Sequence, residues 1–129
     1  MPLQTVLLVD DDPDMRLYLR SCLRALPSPF EQVIEAADGL EALRLVQSGR
    51  VQVVISDVWL PGMDGRRLCR AIREDAALHH VCVLLISGDG AVEENTANGF
   101  LSKPFNSRQL LAALEGILPR DATASEFDR

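Results

Sequence analysis

The 129-residue chain has no apolar run near the ~18–20 residues that a bilayer-spanning helix needs. It also lacks a basic leader. Met1-Pro2-Leu3-Gln4-Thr5 runs straight into patterned sequence, so no signal peptide is expected. Positive charge is scarce: 13 Lys and Arg stand against 19 Asp and Glu, a formal net charge of −6. No basic stripe offers the clustered phosphate contacts of a nucleic-acid binder. The three cysteines, Cys22, Cys69 and Cys82, are odd in number and too far apart for a CxxC metal or redox motif. Each lies in an apolar-patterned segment, which reads as buried free thiols in a reducing cytoplasm. There is no internal repeat, no low-complexity tract and no GxxxxGK phosphate loop. What is present is an ordinary globular composition, 47% hydrophobic and 25% charged, enough for one core without disulfide or metal staples.

Three short runs rich in β-branched residues stand out: Val6–Val9, Val51–Ile55 and Val81–Ile86. They are nearly continuous rather than alternating, as strands are when both faces of a parallel sheet are covered. Gln32–Ala36 and Gly99–Ser102 are weaker strand candidates. Helical spacing fills the intervals. Met15, Leu19, Cys22, Leu23 and Leu26 share one face of a helix that Pro13 begins and Asp12 caps. Leu40, Leu43 and Val46 mark a second helix, bounded by Asp38-Gly39 and Ser48-Gly49. Leu68 and Ile72 mark a third, with Arg66, Arg67, Arg70 and Arg73 expected to face water. Leu110, Leu111, Leu114, Ile117 and Leu118 mark the last, opened by Asn106-Ser107 and stopped by Pro119. Strand and helix alternate, so the expected fold is α/β, an open parallel sheet sandwiched by helices. One crossover is irregular. The segment between Ser87 and Phe100 carries three glycines and one bulky aliphatic, Val92, too little for a full packed helix. A short turn near residues 91–95 or an irregular loop is expected there. Residues 119–129 read as a polar tail or a cut linker.

Ligands of such sheets bind at the carboxyl ends of the strands. The strands here end in Asp10-Asp11-Asp12, Ser56-Asp57, Ser87-Gly88 and Lys103-Pro104. Alone, each has a plain structural role: a helix cap, a turn, a loop hydroxyl, a solvated lysine. Together they gather carboxylates, a hydroxyl and an ammonium in one crevice. Carboxylates about 4 Å apart repel by roughly 4 kcal/mol at an effective dielectric of 20, so the group needs a cation beyond Lys103. Mg2+ suits an open, oxygen-rich site that shares phosphate oxygens. The set is a toolkit for phosphoryl transfer to a carboxylate.

With Val6–Pro13, Ile55–Gly65 and Phe100–Phe105 in this order, the chain resembles the receiver domain of bacterial two-component response regulators from about Thr5 to Leu118. The resemblance implies a flavodoxin-like, doubly wound, five-stranded parallel sheet of order 2-1-3-4-5 over residues 1–118, with the fourth helix shortened or missing. It implies that Asp57 is the phosphoacceptor, supplied by a histidine kinase or histidine phosphotransfer protein, with no enzymatic activity beyond this self-catalysed transfer and slow autodephosphorylation. Asp11 and Asp57 would hold Mg2+ directly, Asp10 through water, and the Trp59 carbonyl would complete the protein's share of the shell. Ser87 and Lys103 would contact the phosphoryl oxygens, and Phe100 would follow the state of Ser87. Trp59 and Asp89 would tune the lifetime of the phosphorylated state by controlling water. The Lys103-Pro104 bond is often cis in this family.

The shortened 88–99 segment departs from the family pattern. It removes part of the surface through which such domains signal and dimerise, and 87–99 is expected to be mobile until phosphorylation orders it. Two other readings fit part of the pattern. A pseudo-receiver would dock partners without phosphorylation, yet would not need the carboxylate cluster. A phosphatase of the haloacid dehalogenase type needs a second Asp where Trp59 stands. The expected protein is cytoplasmic, with no nucleic-acid or membrane partner and no output module after Leu118, either stand-alone or one module of a longer regulator.

Overall fold

The computed structural model of the chain describes residues 4–25, 30–88 and 96–118. Its elements are β1 (Gln4–Val9), α1 (Pro13–Ala25), β2 (Phe30–Ala36), α2 (Gly39–Gln47), β3 (Val53–Asp57), α3 (Gly65–Glu74), a 3₁₀ turn (Ala76–Leu78), β4 (Cys82–Ser87), β5 (Gly99–Ser102) and α4 (Ser107–Ile117). The five strands form one parallel sheet of order β2-β1-β3-β4-β5. From β1 the chain winds outward to β2, then crosses back to β3 and continues the other way. That reversal opens a crevice at the carboxyl ends of β1 and β3.

The continuous apolar runs are explained by two layers. Leu7, Val9, Val54, Val83 and Leu85 pack with Ala42, Val46, Leu68, Cys69 and Ile72, from α2 and α3. Val6, Leu8, Ile55, Leu84 and Ile86 pack with Leu19, Cys22, Leu110 and Leu114, from α1 and α4. A central strand buried on both faces has no polar side to alternate with. Short polar side chains start the helices. Asp38, Asp64 and Asn106 accept the backbone N–H groups of Glu41, Arg67 and Gln109, and Asp12 accepts that of Asp14 at 2.9 Å. All three cysteines are buried thiols outside any disulfide.

The structure corrects the sequence reading in three places. β2 begins at Phe30 rather than Gln32, β3 at Val53 rather than Val51 and β4 at Cys82 rather than Val81, and Asp57 belongs to β3. Gln52 breaks the earlier pattern because its side chain accepts the Thr5 N–H at 2.7 Å. Leu40 is 53% exposed; the buried face of α2 is Gly39, Ala42 and Val46. α2 runs so close to the chain after β3 that a Cβ at position 39 would lie 2.3 Å from the Met63 carbonyl oxygen, which leaves no room for leucine on that side. Finally, only Arg67 and Arg70 of the α3 arginines are exposed. Arg66 stacks over the Trp59 ring, 5.3 Å from its centroid, and Arg73 donates to several acceptors at the C-terminal end of its helix. Among the described residues no helix stands between β4 and β5. Residues 89–95, Asp89 included, and the tail 119–129 lie outside the described residues.

Candidate functional site

The parallel winding delivers the chemistry to one edge. Asp10 follows β1; its N–H donates to the Ala36 carbonyl of β2, and its Oδ1 accepts the Asp12 N–H at 2.9 Å. It is buried, at 3% exposure, whereas Asp11 beside it is exposed. Asp57 closes β3. The register pairs Asp57 with Ile86, which places Ser87, the last residue of β4, one step further along the neighbouring strand. Ser87 is buried and pairs in turn with Ser102 of β5. Its carbonyl accepts the Lys103 N–H at 2.9 Å. Lys103 then reaches back across β4, and its Nζ lies 3.1 Å from Asp57 Oδ2.

One carboxylate oxygen from each of Asp10, Asp11 and Asp57 lies within 4.8 Å of the others. At that spacing each pair repels by roughly 3–4 kcal/mol at an effective dielectric of 20, and a single ammonium does not offset three such pairs. Asp10 registers the strain: its carboxyl is pushed up to about 6, chiefly by burial, with the charges of Asp57 and Asp11 adding and the Asp12 N–H and Lys103 opposing. Three hard oxygen donors, one buried, one half-buried and one open to water, fit Mg2+, which keeps waters and takes few protein carboxylates. The Lys103-Pro104 peptide is cis.

The tuning candidates are spread around this centre. Trp59 lies 55% exposed beyond Asp57, with its N–H 3.4 Å from Asp57 Oδ1. Phe100 is 46% exposed on β5, on the outer edge of the sheet.

Three residues with parts in the site went unread in the sequence. Gly65 donates its N–H to the Val58 carbonyl at 2.7 Å, and a Cβ there would lie 2.3 Å from the Asp57 carbonyl oxygen. Gly39 holds the same loop from the other side, through Met63. The available signal was glycine at the first turn of a helix, directly after an aspartate cap, where propensity alone disfavours it. Arg16 bonds the Asp10 carbonyl at 2.6 Å and the Glu35 carboxylate at 2.8 Å, tying α1 to the ends of β1 and β2. Glu35 also takes Arg20, and these two guanidinium groups hold its carboxyl below the usual range.

A carboxylate at a strand end, met by an ammonium and flanked by an acidic pair on a 2-1-3-4-5 sheet, is a combination that can be compared with known proteins. The family model described as the response regulator receiver domain matches residues 6–115. The chain belongs to the response regulator receiver family. It is 36% identical over 121 residues to the chemotaxis protein CheY of Pseudomonas aeruginosa, covering 89% of this chain and 96% of that protein. It is 31% identical over 120 residues to histidine kinase P4 of Formosa agariphila, of which it spans 8%. Among solved structures, the chemotaxis response regulator CheY4 of Vibrio cholerae superimposes with a TM-score of 0.78 at 32% identity, over 91% of this chain and all of that one. The receiver domain of a sensor histidine kinase from Pseudomonas aeruginosa, solved with magnesium coordinated in its active site cleft, gives 0.76 at 26% identity, over 90% of this chain and 98% of that one. Receiver domains are the signalling modules of two-component systems, found both alone and within longer kinases. In this receiver the acidic trio Asp10, Asp11 and Asp57 forms the pocket that fits a metal and an aspartyl phosphate. No helix among the described residues is long and apolar enough to cross a membrane.

Proposed function

We propose that this receiver accepts a phosphoryl group from a histidine kinase or a histidine phosphotransfer protein onto Asp57, as a cytoplasmic switch. The observation that carries the reading is the Lys103–Asp57 ion pair beside the acidic trio. A carboxylate with no incoming partner has no need of two more negative charges at its side.

In the proposed step an Asp57 carboxylate oxygen attacks the phosphorus of a phosphohistidine. The new O–P bond forms as the P–N bond breaks, and the electron pair of that bond stays on the imidazole nitrogen, which takes a proton. Asp11 and Asp57, with Asp10 through water and the Trp59 carbonyl, would hold Mg2+, which would supply positive charge for the transferring oxygens. Lys103 supplies the second positive charge and Ser87 a hydroxyl donor, both from strand ends that need not move far to meet the phosphoryl group. Asp10 adds a third carboxylate to the pocket, which favours a divalent over a monovalent cation. Phe100 would pack according to the state of Ser87, and Trp59 would restrict the approach of water to the acyl phosphate, a role also proposed for Asp89.

Incubation with acetyl phosphate and Mg2+, followed by intact mass, tests the reading. Wild type should gain one phosphoryl group and Asp57→Asn none. A wild-type mass that stays unchanged would instead make the domain a docking module that works without phosphorylation.

A further inference from the structure

We infer that Arg73 is a positioning residue for phosphoryl transfer: it pins the start of β5 to the start of β4 and thereby holds Lys103 in reach of Asp57. The inference rests on the phosphoacceptor reading above.

Only residues 88–98 join β4 to β5, whereas a parallel crossover with a packed helix takes a dozen or more. β5 is also the weakest strand of the sheet. It has four residues, lies at the edge, and alternates between half-buried and exposed positions. Yet Lys103 follows it directly, so the place of the ammonium is set by the place of β5.

Arg73 supplies a second anchor. From the last turn of α3 its Nε donates to the Thr96 carbonyl at 2.9 Å. One terminal nitrogen donates to both the Val81 carbonyl and Asn98 Oδ1, each at 2.6 Å, and the other reaches the His79 carbonyl at 3.4 Å. Asn98 extends the clasp to the sheet: its Oδ1 also accepts the Val83 N–H at 2.7 Å, and its own N–H donates to the Val83 carbonyl at 2.9 Å. The Thr96 hydroxyl meets Cys69 Sγ, again on α3, at 3.3 Å. One planar guanidinium thus joins α3, the residues before β4 and the residues before β5. A lysine ammonium, a single point with rotating donors, does not match that set of acceptors.

The clasp sits at the amino ends of β4 and β5, the far end from Asp57, and touches none of the reacting groups. Its effect passes along the ladder. Leu84 pairs with Gly99 and Ser87 with Ser102, and the Lys103 N–H then bonds the Ser87 carbonyl. Asp10 and Asp11 follow β1 and Asp57 ends β3, and neither strand pairs with β5. Loosening the clasp should therefore separate two properties that a general loss of structure would lower together. Metal affinity should hold or rise as Lys103 leaves Asp57, and phosphoryl uptake should fall.

The test uses the full chain as wild type, Arg73→Ala, Arg73→Lys, Lys103→Ala and the Arg73→Ala/Lys103→Ala double variant. Circular dichroism reports the fold, calorimetric titration the Mg2+ affinity, and intact mass against time the uptake from acetyl phosphate. Arg73→Ala should bind Mg2+ at least as tightly as wild type and take up the phosphoryl group about tenfold more slowly, with Arg73→Lys between; the double variant should be no slower than Lys103→Ala, the non-additivity expected of groups acting through one another. Uptake at the wild-type rate, a parallel loss of Mg2+ affinity, or effects that multiply in the double variant would each overturn the inference. If Arg73→Ala does not fold, Asn98→Ala, which removes the acceptor shared with Val83, carries the same comparison. If wild type gains no phosphoryl group, the phosphoacceptor reading fails and this inference with it; if only the variants match wild type, the inference alone fails.

Discussion

The ammonium of Lys103 and the carboxylate of Asp57 meet at 3.1 Å across 46 residues of sequence, from two strands that are not neighbours in the sheet. Lys103 reaches over β4 to do so. At that distance the attraction is about 5 kcal/mol at an effective dielectric of 20, and it acts against whatever cation the acidic trio holds. Lys103→Met, which keeps the length of the side chain and removes its charge, should therefore tighten Mg2+ binding by about tenfold, the equivalent of about 1.4 kcal/mol. Titration calorimetry checks this, and an unchanged or weaker affinity would show that Lys103 does not face the metal.

Asp10 gives the metal-free protein a pH dependence of definite sign. Its carboxyl titrates near 6 when folded because burial and its acidic neighbours penalise the charge. The folded state then holds a proton that the unfolded chain releases between about pH 4 and 6, so this group's effect on stability improves as pH falls through 6. Glu35, held low by Arg20 and Arg16, acts the other way, its contribution being lost as pH falls through its depressed folded value. Comparing wild type with Asp10→Asn in chelator isolates the first effect. The variant should be more stable at pH 7.5 by roughly 1–2 kcal/mol, with the gap closing toward pH 4. Equal urea midpoints at both pH values would contradict it. In the same variant Mg2+ affinity should fall.

Gly65 and Gly116 should respond oppositely to alanine. A Cβ at Gly65 would lie 2.3 Å from the Asp57 carbonyl oxygen, backbone that cannot move without moving Asp57. Gly65→Ala should cost about 1–3 kcal/mol and weaken Mg2+ binding as well. A Cβ at Gly116, within α4, meets nothing within 4 Å. Gly116→Ala should stabilise by about 0.5–1 kcal/mol and leave the metal site alone. Urea denaturation of the two variants provides the comparison.

Trp59 carries the prediction on lifetime. Half of the indole is exposed and Arg66 lies over its ring, so it stands as a wall beside Asp57 rather than as a core residue. Trp59→Ala should shorten the half-life of the acyl phosphate by about threefold to tenfold, as expected when an apolar group that excludes water is removed. An unchanged half-life would confine Trp59 to covering the surface.

The layers of this fold were legible because both faces of the sheet are covered, which writes Val6–Val9, Val53–Ile55 and Cys82–Ile86 as unbroken apolar runs. The clustering of Asp10, Asp11, Asp57 and Lys103 was legible because parallel strands deliver their ends to one edge. Arg73 was misread because helical periodicity assigns it only a direction; its acceptors lie on Thr96, Asn98 and Val81, which the sequence does not place nearby. Leu40 was misread for a related reason. The close approach of α2 to Met63 favours small residues and turns the leucine outward, a constraint that arises only in three dimensions. Gly65 and Arg16 act on the site through backbone carbonyls, and carbonyl contacts leave no trace in residue type.

Because Trp59 is the one tryptophan of the chain and stands two positions past Asp57, ultraviolet emission at long wavelength comes from a single place beside the acidic trio. The guanidinium over its ring is a built-in perturber of that light. Metal arrival, acyl phosphate formation and hydrolysis should each be readable in a stopped-flow fluorimeter without any dye or label.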